Sequence, residues 1–262
     1  MLSLLDATTP YIHRFKGIRI STRPDCIDED ILTTLKKYNV TSIELGAQSM
    51  DDVVLKANNR GHNSTAVRYA SKLIKSMGFS LGLQMMTGLY MSSDDTDIYT
   101  ARQFIELNPD TIRIYPTVVM NDTHLADLYK ENLYLPQTLP QAVSLCSKLL
   151  IMFEDKNIKV IRVGLHHSDS LDENKIAGPY HPAFRELCES EILYNKVKDK
   201  LKNLEITGSD TVVVKVAPSC VSKFIGNKRH NLKRLNESGY KIKVVQDINA
   251  PDMEFVLEIQ RG

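Results

Sequence analysis

The stretch Ile43-Glu44-Leu45-Gly46-Ala47-Gln48-Ser49 sets a carboxylate inside an apolar run and ends in a polar tip. An unpaired carboxylate in such surroundings costs several kcal/mol, so Glu44 must meet a cation, a hydrogen-bond donor or a ligand amine. Asn59-Arg60-Gly61-His62 follows shortly after. Arg60 is a natural partner for a carboxylate, because its planar fork binds one bidentately. Polar or soft side chains also close other apolar runs: Ser21 and Arg23, Gln84 and Met86, Arg113 and Tyr115, and Arg162. In a parallel β/α barrel the C-terminal ends of the strands share one mouth, where such groups can hold a charged ligand. They can equally satisfy one another in a polar interior, and residue type alone leaves both open.

A later loop adds His166, His167, Asp169 and His181. His166 and His181 titrate near neutrality and are candidates for acid–base work. His166, His167 and Asp169 are metal-ligand types, but the spacing lacks a clean ligand pattern and no metal site is expected.

The elements that must position these groups follow from periodicity. Gly17–Ser21, Thr41–Leu45, Phe79–Met86, Thr111–Tyr115 and Lys159–Val163 are apolar and strand-like in length. Helical spacing separates them: Ile31, Leu32 and Leu35 after the capping Asp28; Asp51 to Leu55; Val67, Ala70, Leu73 and Ile74 up to the stop at Gly78; a helix from Asp94 or Asp95 to before Asn108-Pro109; and Pro140–Glu154. Strand and helix alternating at this spacing predict right-handed βαβ units and a parallel sheet, an α/β fold. His166 to Asn174 reads as a polar loop. A helix from Ala183 to about Leu201 follows Gly178-Pro179-Tyr180-His181-Pro182.

Composition shifts near Lys196. Lys196–Gly262 carries 13 Lys/Arg against 8 Asp/Glu in a chain whose net charge is +1, so the preceding part is net acidic. A boundary near Asn203 divides the chain into 1–203 and 204–262. The second part is a small basic α+β module: strand Thr211–Val216, helix Ser219–Phe224, a turn at Gly226, helix His230–Glu237, and strands Lys241–Gln246 and Glu254–Ile259. No apolar run is long enough to span a membrane. The four cysteines, Cys26, Cys146, Cys188 and Cys220, lie far apart, as expected for reduced thiols in a cytoplasmic protein.

The motifs together resemble radical S-adenosylmethionine (radical SAM) enzymes, in the branch of the Elongator catalytic subunit and the oxygen-independent coproporphyrinogen oxidases. Gly17-Ile18-Arg19-Ile20-Ser21-Thr22-Arg23-Pro24-Asp25 looks like the third barrel strand of that family. Ile43–Ser49 with Asn59–His62 looks like the fourth, Leu83-Gln84-Met85-Met86-Thr87-Gly88-Leu89 the fifth and Ile112-Arg113-Ile114-Tyr115-Pro116 the sixth. Gly164–Asp169 and Ala177–Phe184 resemble the family's C-terminal extension. The resemblance runs from about Leu2 to Ile192. It implies a partial β/α barrel and an S-adenosylmethionine site drawn from Ser21, Arg23, Glu44, Gln48, Arg60, Gln84, Met86, Arg113 and Tyr115. Within it, Gln48 and Arg60 contact the methionine moiety and the Arg113–Tyr115 strand lies by the adenine. In complete members a 4Fe-4S cluster cleaves the cofactor to a 5′-deoxyadenosyl radical.

Two departures stand out. The family's Cys-x-x-x-Cys-x-x-Cys motif, which holds the cluster, is not in this sequence, nor is its second strand with a Gly-Gly-Glu-like turn. The fifth-strand exit reads Gly88-Leu89-Tyr90-Met91, where many relatives have Gly-Leu-Pro-Gly. The expectation is the C-terminal part of such an enzyme, without its own cluster or activity and with an open sheet edge at Gly17–Ser21 that invites self-association.

The tail suggests a second kind of function. Phe224-Ile225-Gly226-Asn227-Lys228-Arg229 with the helix after it resembles the Ile-Gly-x-x-Gly loop of KH domains, with Arg229 where the second glycine stands. The resemblance implies RNA contact through Lys223, Gly226, Lys228, Arg229, Lys233 and Arg234. The alternative function is therefore a non-catalytic RNA-binding protein. Elongator relatives modify tRNA, which makes RNA the expected partner on either reading.

Overall fold

The computed structural model describes residues 2–262. The chain forms two compact units, one ending at Pro182 and one spanning Ala183–Gly262.

The first unit opens with α1 (Leu2–Asp6) and a 3-10 turn, Thr9–Arg14, neither of which has a periodicity signal. Its frame is β1 (Ile18–Thr22), α2 (Glu29–Lys37), β2 (Val40–Gln48), α3 (Asp52–Ala57), α4 (Ser64–Ser76), β3 (Ser80–Thr87), α5 (Asp94–Leu107) and β4 (Thr111–Pro116). After a short strand β5 (Val119–Met120) come α6 (His124–Lys130), α7 (Leu139–Glu154) and β6 (Lys159–Val163). Then α8 (Asp169–Asn174) takes up most of what reads in sequence as a polar loop, and β7 (Lys175–Ala177) pairs antiparallel with β5. Local chemistry sets the helix starts. Asp28, Asp51, Asn63, Ser93 and Thr138 each cap a helix by accepting from backbone N–H groups of its first turn.

Five strands make one parallel sheet in the order β1-β2-β3-β4-β6. Sequence order and spatial order run the same way, so every crossover returns on the same side. The strands therefore have two unlike faces. Ile43, Leu45, Leu81, Leu83, Met85, Ile112 and Ile114 are buried on the helix side, with Leu35, Val67, Ile74, Phe104, Leu149 and Phe153 of the helices. Ser80, Gln84, Met86, Thr111, Arg113 and Tyr115 alternate with them and are half-buried on the other face. Among the described residues β1 pairs only with β2, so the sheet is an open, partial barrel.

The second unit begins with α9 (Phe184–Lys202), followed by β8 (Thr211–Val216), α10 (Val221–Ile225), α11 (His230–Glu237), β9 (Lys241–Gln246) and β10 (Phe255–Gln260). Its sheet runs β10-β8-β9, with β8 parallel to β9 and antiparallel to β10. Here the structure departs from a boundary at residue 203. Leu193, Tyr194, Val197 and Leu201 of α9 share a core with Val212, Val214, Val216, Phe224, Leu235 and Phe255. The apolar stripe of α9 is buried by the tail sheet, so the helix is part of this unit. No helix among the described residues is long and apolar enough to cross a membrane.

Candidate functional site

Glu44 is 1% exposed at the centre of the polar face. Its cation is Arg113, not Arg60: Arg113 Nε lies 3.0 Å from Glu44 Oε2. That N–H is not aimed at the oxygen, so the contact is an ion pair rather than a hydrogen bond. The Gln84 amide donates to the other carboxylate oxygen. Arg113 Nη1 donates to Tyr115 Oη at 3.2 Å. That bond first, and Glu44 after it, hold the guanidinium above its ordinary pKa against the opposing effect of burial. Register explains the grouping. Glu44 sits beside Gly82, Gln84 beside Arg113 and Met86 beside Tyr115, so one network crosses three strands. Ser21 lies next to Glu44 on the edge strand and is exposed.

Gln48 and Arg60 form a second group. Strand β2 carries one extra residue between Leu45 and Gln48, a bulge that re-aims its end. Gln48 takes a left-handed backbone at φ 66° and is buried. A Cβ on Gly46 would stand 3.0 Å from Gln48 Nε2, so the amide folds over the glycine. His62 joins the bulge to the Arg60 loop, with Nε2 3.1 Å from the Ala47 carbonyl and Nδ1 3.2 Å from that of Arg60. A neutral imidazole donates only one of these two bonds. Arg23 chelates Asp25 and crosses over Gly61, whose φ of 73° and missing side chain leave room for it. Arg60 has no carboxylate partner among the described residues. Burial, then the nearby Arg23, pull its guanidinium below the ordinary pKa. Arg60 Nε and Gln48 Oε1 are both buried without a hydrogen-bond partner. An orphaned cationic donor and an orphaned acceptor on one loop system match the carboxylate and ammonium of an amino-acid zwitterion.

The histidine loop is less organised. His167 Nδ1 lies 3.1 Å from Tyr180 Oη and 3.4 Å from Asp172. His166 is exposed and His181 half-buried. Among the described residues no group of three or more His, Cys, Asp or Glu side chains is placed to hold a metal ion. Cys26 is exposed, and Cys146, Cys188 and Cys220 are buried. These residues do not fit an iron–sulfur cluster, which needs clustered thiolates.

Sequence reasoning missed Asp97, which is 1% exposed below the exit of β3 and accepts from the Gly88 N–H at 2.9 Å. Burial pushes its carboxyl up to about 7. Tyr134 Oη donates to the Gly88 carbonyl at 2.5 Å, so the altered exit loop is clamped from both sides. A triplet of aspartates at a helix start reads in sequence as capping and hides the one that turns inward.

In the tail, Lys223 is paired with Glu189 and Arg234 with Glu191, both from α9. Lys228, Arg229 and Lys233 are exposed and form no ion pair among the described residues. Arg229 has φ 60°, the left-handed conformation a glycine would take most easily.

The match to the radical SAM superfamily covers residues 4–103, and the match to the radical SAM C-terminal domain covers 109–193. The chain belongs to the radical SAM superfamily. The tRNA uridine(34) acetyltransferase of Dehalococcoides mccartyi is 34% identical over 127 residues, 47% of this chain and 28% of that protein. Elongator complex protein 3 of Homo sapiens is 33% identical over 139 residues, 52% of this chain and 25% of that protein. The chain thus spans about a quarter of the length of the curated relatives it matches. The solved structure of the archaeal Methanocaldococcus infernus Elp3 with an N-terminal deletion superposes with a TM-score of 0.59 at 26% identity, over 70% of this chain and 42% of that one.

Proposed function

We propose that the first unit is the S-adenosylmethionine-holding, substrate-facing part of a tRNA-modifying radical SAM enzyme. The observation that carries this reading is the pair of orphaned buried atoms, Arg60 Nε and Gln48 Oε1. A half-buried guanidinium with its Nε unpartnered and no counter-ion costs free energy, and a carboxylate ligand removes part of that cost. Arg60 grips the carboxylate of the cofactor's methionine part, Gln48 accepts from its ammonium, and His62 fixes the loop that carries Arg60. Arg113, braced by Tyr115 on the strand expected beside the adenine, holds Glu44 in place. When bound, S-adenosylmethionine would supply the 5′-deoxyadenosyl group for the family's hydrogen abstraction, the electron that cleaves it coming from a 4Fe-4S cluster that these residues do not hold. The chain's own residues orient it over the open polar face. The tRNA substrate class rests on the relatives named for it, the acetyltransferase above all.

Calorimetric titration with S-adenosylmethionine tests the site. Arg60→Ala is expected to weaken binding by about 1.5–3 kcal/mol, the worth of a hydrogen bond to a charged group. Arg60→Lys recovers little, because a point charge does not replace the fork. Unchanged affinity in a folded Arg60→Ala protein, or no binding by the parent chain, would sink the assignment.

A second reading is favoured by the partition of the tail's basic residues. Lys223 and Arg234 are spent on α9, which leaves Lys228, Arg229 and Lys233 as a free cationic edge for an RNA backbone. Replacing these three with alanine should flatten the salt dependence of single-stranded RNA binding by about 2 in log–log slope. An unaltered slope argues against this surface.

A further inference from the structure

Arg113 and Arg162 stand directly across from each other on β4 and β6. A second bulge makes them neighbours. Ile112 pairs with Val160, but Arg113 pairs with Arg162, so Ile161 is the extra residue. Without it, Ile161 would face Arg113. Bulges that re-aim a side chain are concentrated beside active sites. Like charges directly opposite on neighbouring strands destabilise a sheet. Arg113 is compensated by Glu44. Arg162 is not: Nε donates to the Gly164 carbonyl at 3.0 Å, which fixes the stem, and no carboxylate forms an ion pair with it among the described residues. The two arginines and Glu44 therefore leave one positive charge uncompensated on the polar face.

We propose that Arg162, beside Arg113, binds a phosphate group of the substrate. The inference rests on the reading of this face as the one the substrate meets. Two adjacent guanidinium forks present more donors than a planar carboxylate can accept, and they suit the oxygens of a tetrahedral phosphate. One surplus positive charge matches the single negative charge of a phosphodiester. Thr111, Gln84 and Tyr115 supply neutral hydrogen-bonding groups on the same face. This anion site is separate from Arg60, whose loop follows β2.

The test titrates inorganic pyrophosphate and, separately, S-adenosylhomocysteine into the full chain and into Arg162→Gln, Arg162→Lys and Arg60→Ala. Arg162→Gln is expected to lose at least tenfold in pyrophosphate affinity (roughly the worth of one charged hydrogen bond) and to keep its S-adenosylhomocysteine affinity. Arg162→Lys should recover part of the loss, and Arg60→Ala should show the opposite pattern. Pyrophosphate binding that ignores Arg162→Gln, or that falls in Arg60→Ala instead, overturns the proposal. If S-adenosylhomocysteine fails to bind while pyrophosphate still senses Arg162, the cofactor reading falls and the phosphate site stands. Uridine monophosphate and a 12-residue oligouridylate distinguish the source. Tighter, more salt-sensitive binding of the oligomer identifies a nucleic-acid backbone, and equal affinities identify a free nucleotide. Indifference of both to Arg162→Gln again overturns the site.

Discussion

Gly82 is the space into which Glu44 folds: a Cβ on Gly82 would stand 3.1 Å from Glu44 Cγ and 3.0 Å from Thr111 Oγ1. Glu44 cannot swing aside, because Arg113 and Gln84 hold its carboxylate. Gly82→Ala is therefore expected to destabilise the first unit by about 1–3 kcal/mol, the usual cost of overpacking a fixed neighbour. Urea unfolding measures it. A loss below experimental error would mean that the Glu44 network is slack.

The identity of Glu44's cation can be tested by a double-mutant cycle. Glu44→Gln alone should cost about 3 kcal/mol, since it leaves Arg113 partly buried without its counter-ion. Combined with Arg113→Gln, the two changes should be strongly non-additive. Combined with Arg60→Gln, they should add, because Arg60 belongs to the other group. Coupling between Glu44 and Arg60 larger than that with Arg113 would contradict the geometry.

Asp97 makes stability depend on pH. Its folded pKa of about 7 lies above the ordinary carboxyl value of 3.8. The unfolded chain releases this proton first as pH rises, so the native state is favoured at low pH. That contribution falls progressively from about pH 4 to about pH 7 and is then constant, by roughly 3–5 kcal/mol as an upper bound. Asp97→Asn can still accept from Gly88 and has no such dependence. Denaturation midpoints at pH 5 and pH 8 should converge in the variant and differ in the parent. Equal pH profiles for the two proteins would show that Asp97 titrates normally.

Gln48 combines a left-handed backbone with an orphaned amide oxygen. Gln48→Gly relieves both, and is expected to raise stability by about 1 kcal/mol while weakening S-adenosylmethionine binding. Thermal unfolding and calorimetry read the two effects separately. A destabilised variant with full affinity would reverse the assignment.

Much of this arrangement is legible in the sequence. The βα alternation gave the sheet, Asp28 and Asp51 gave their helix starts, and Thr211–Val216, His230–Glu237 and Lys241–Gln246 appear with the bounds the pattern predicts. The polar residues at strand ends do gather on one face. The pairing within that face was not legible, because it depends on register. Register shifts interrupt three of the sheet's four pairings, and the trace of two of them is faint: the small pair Gly46-Ala47, and the apolar doublet before Arg162. Glu44 meets Arg113 across β3 instead of the arginine nearer in sequence, through regular pairings that set Glu44 beside Gly82 and Gln84 beside Arg113. The start of the second unit is hidden from the sequence for a related reason. The apolar stripe of α9 shows that the helix packs, but not on which sheet.

The strand order of the first unit also bears on how the molecule comes to exist. Each strand of β1-β2-β3-β4-β6 pairs with the next sheet strand along the chain. Few long loops need closing at any step, and the sheet can grow from one edge as the polypeptide leaves the ribosome. On that order strand β6 is expected to dock last, bringing Arg162 beside Arg113. Pulse-labelled exchange during refolding should find the Lys159–Val163 amides protected after those of β2 and β3. The Glu44 pair needs only β2 and β4, so a chain stalled short of β6 would have that pair but not its full complement of arginines.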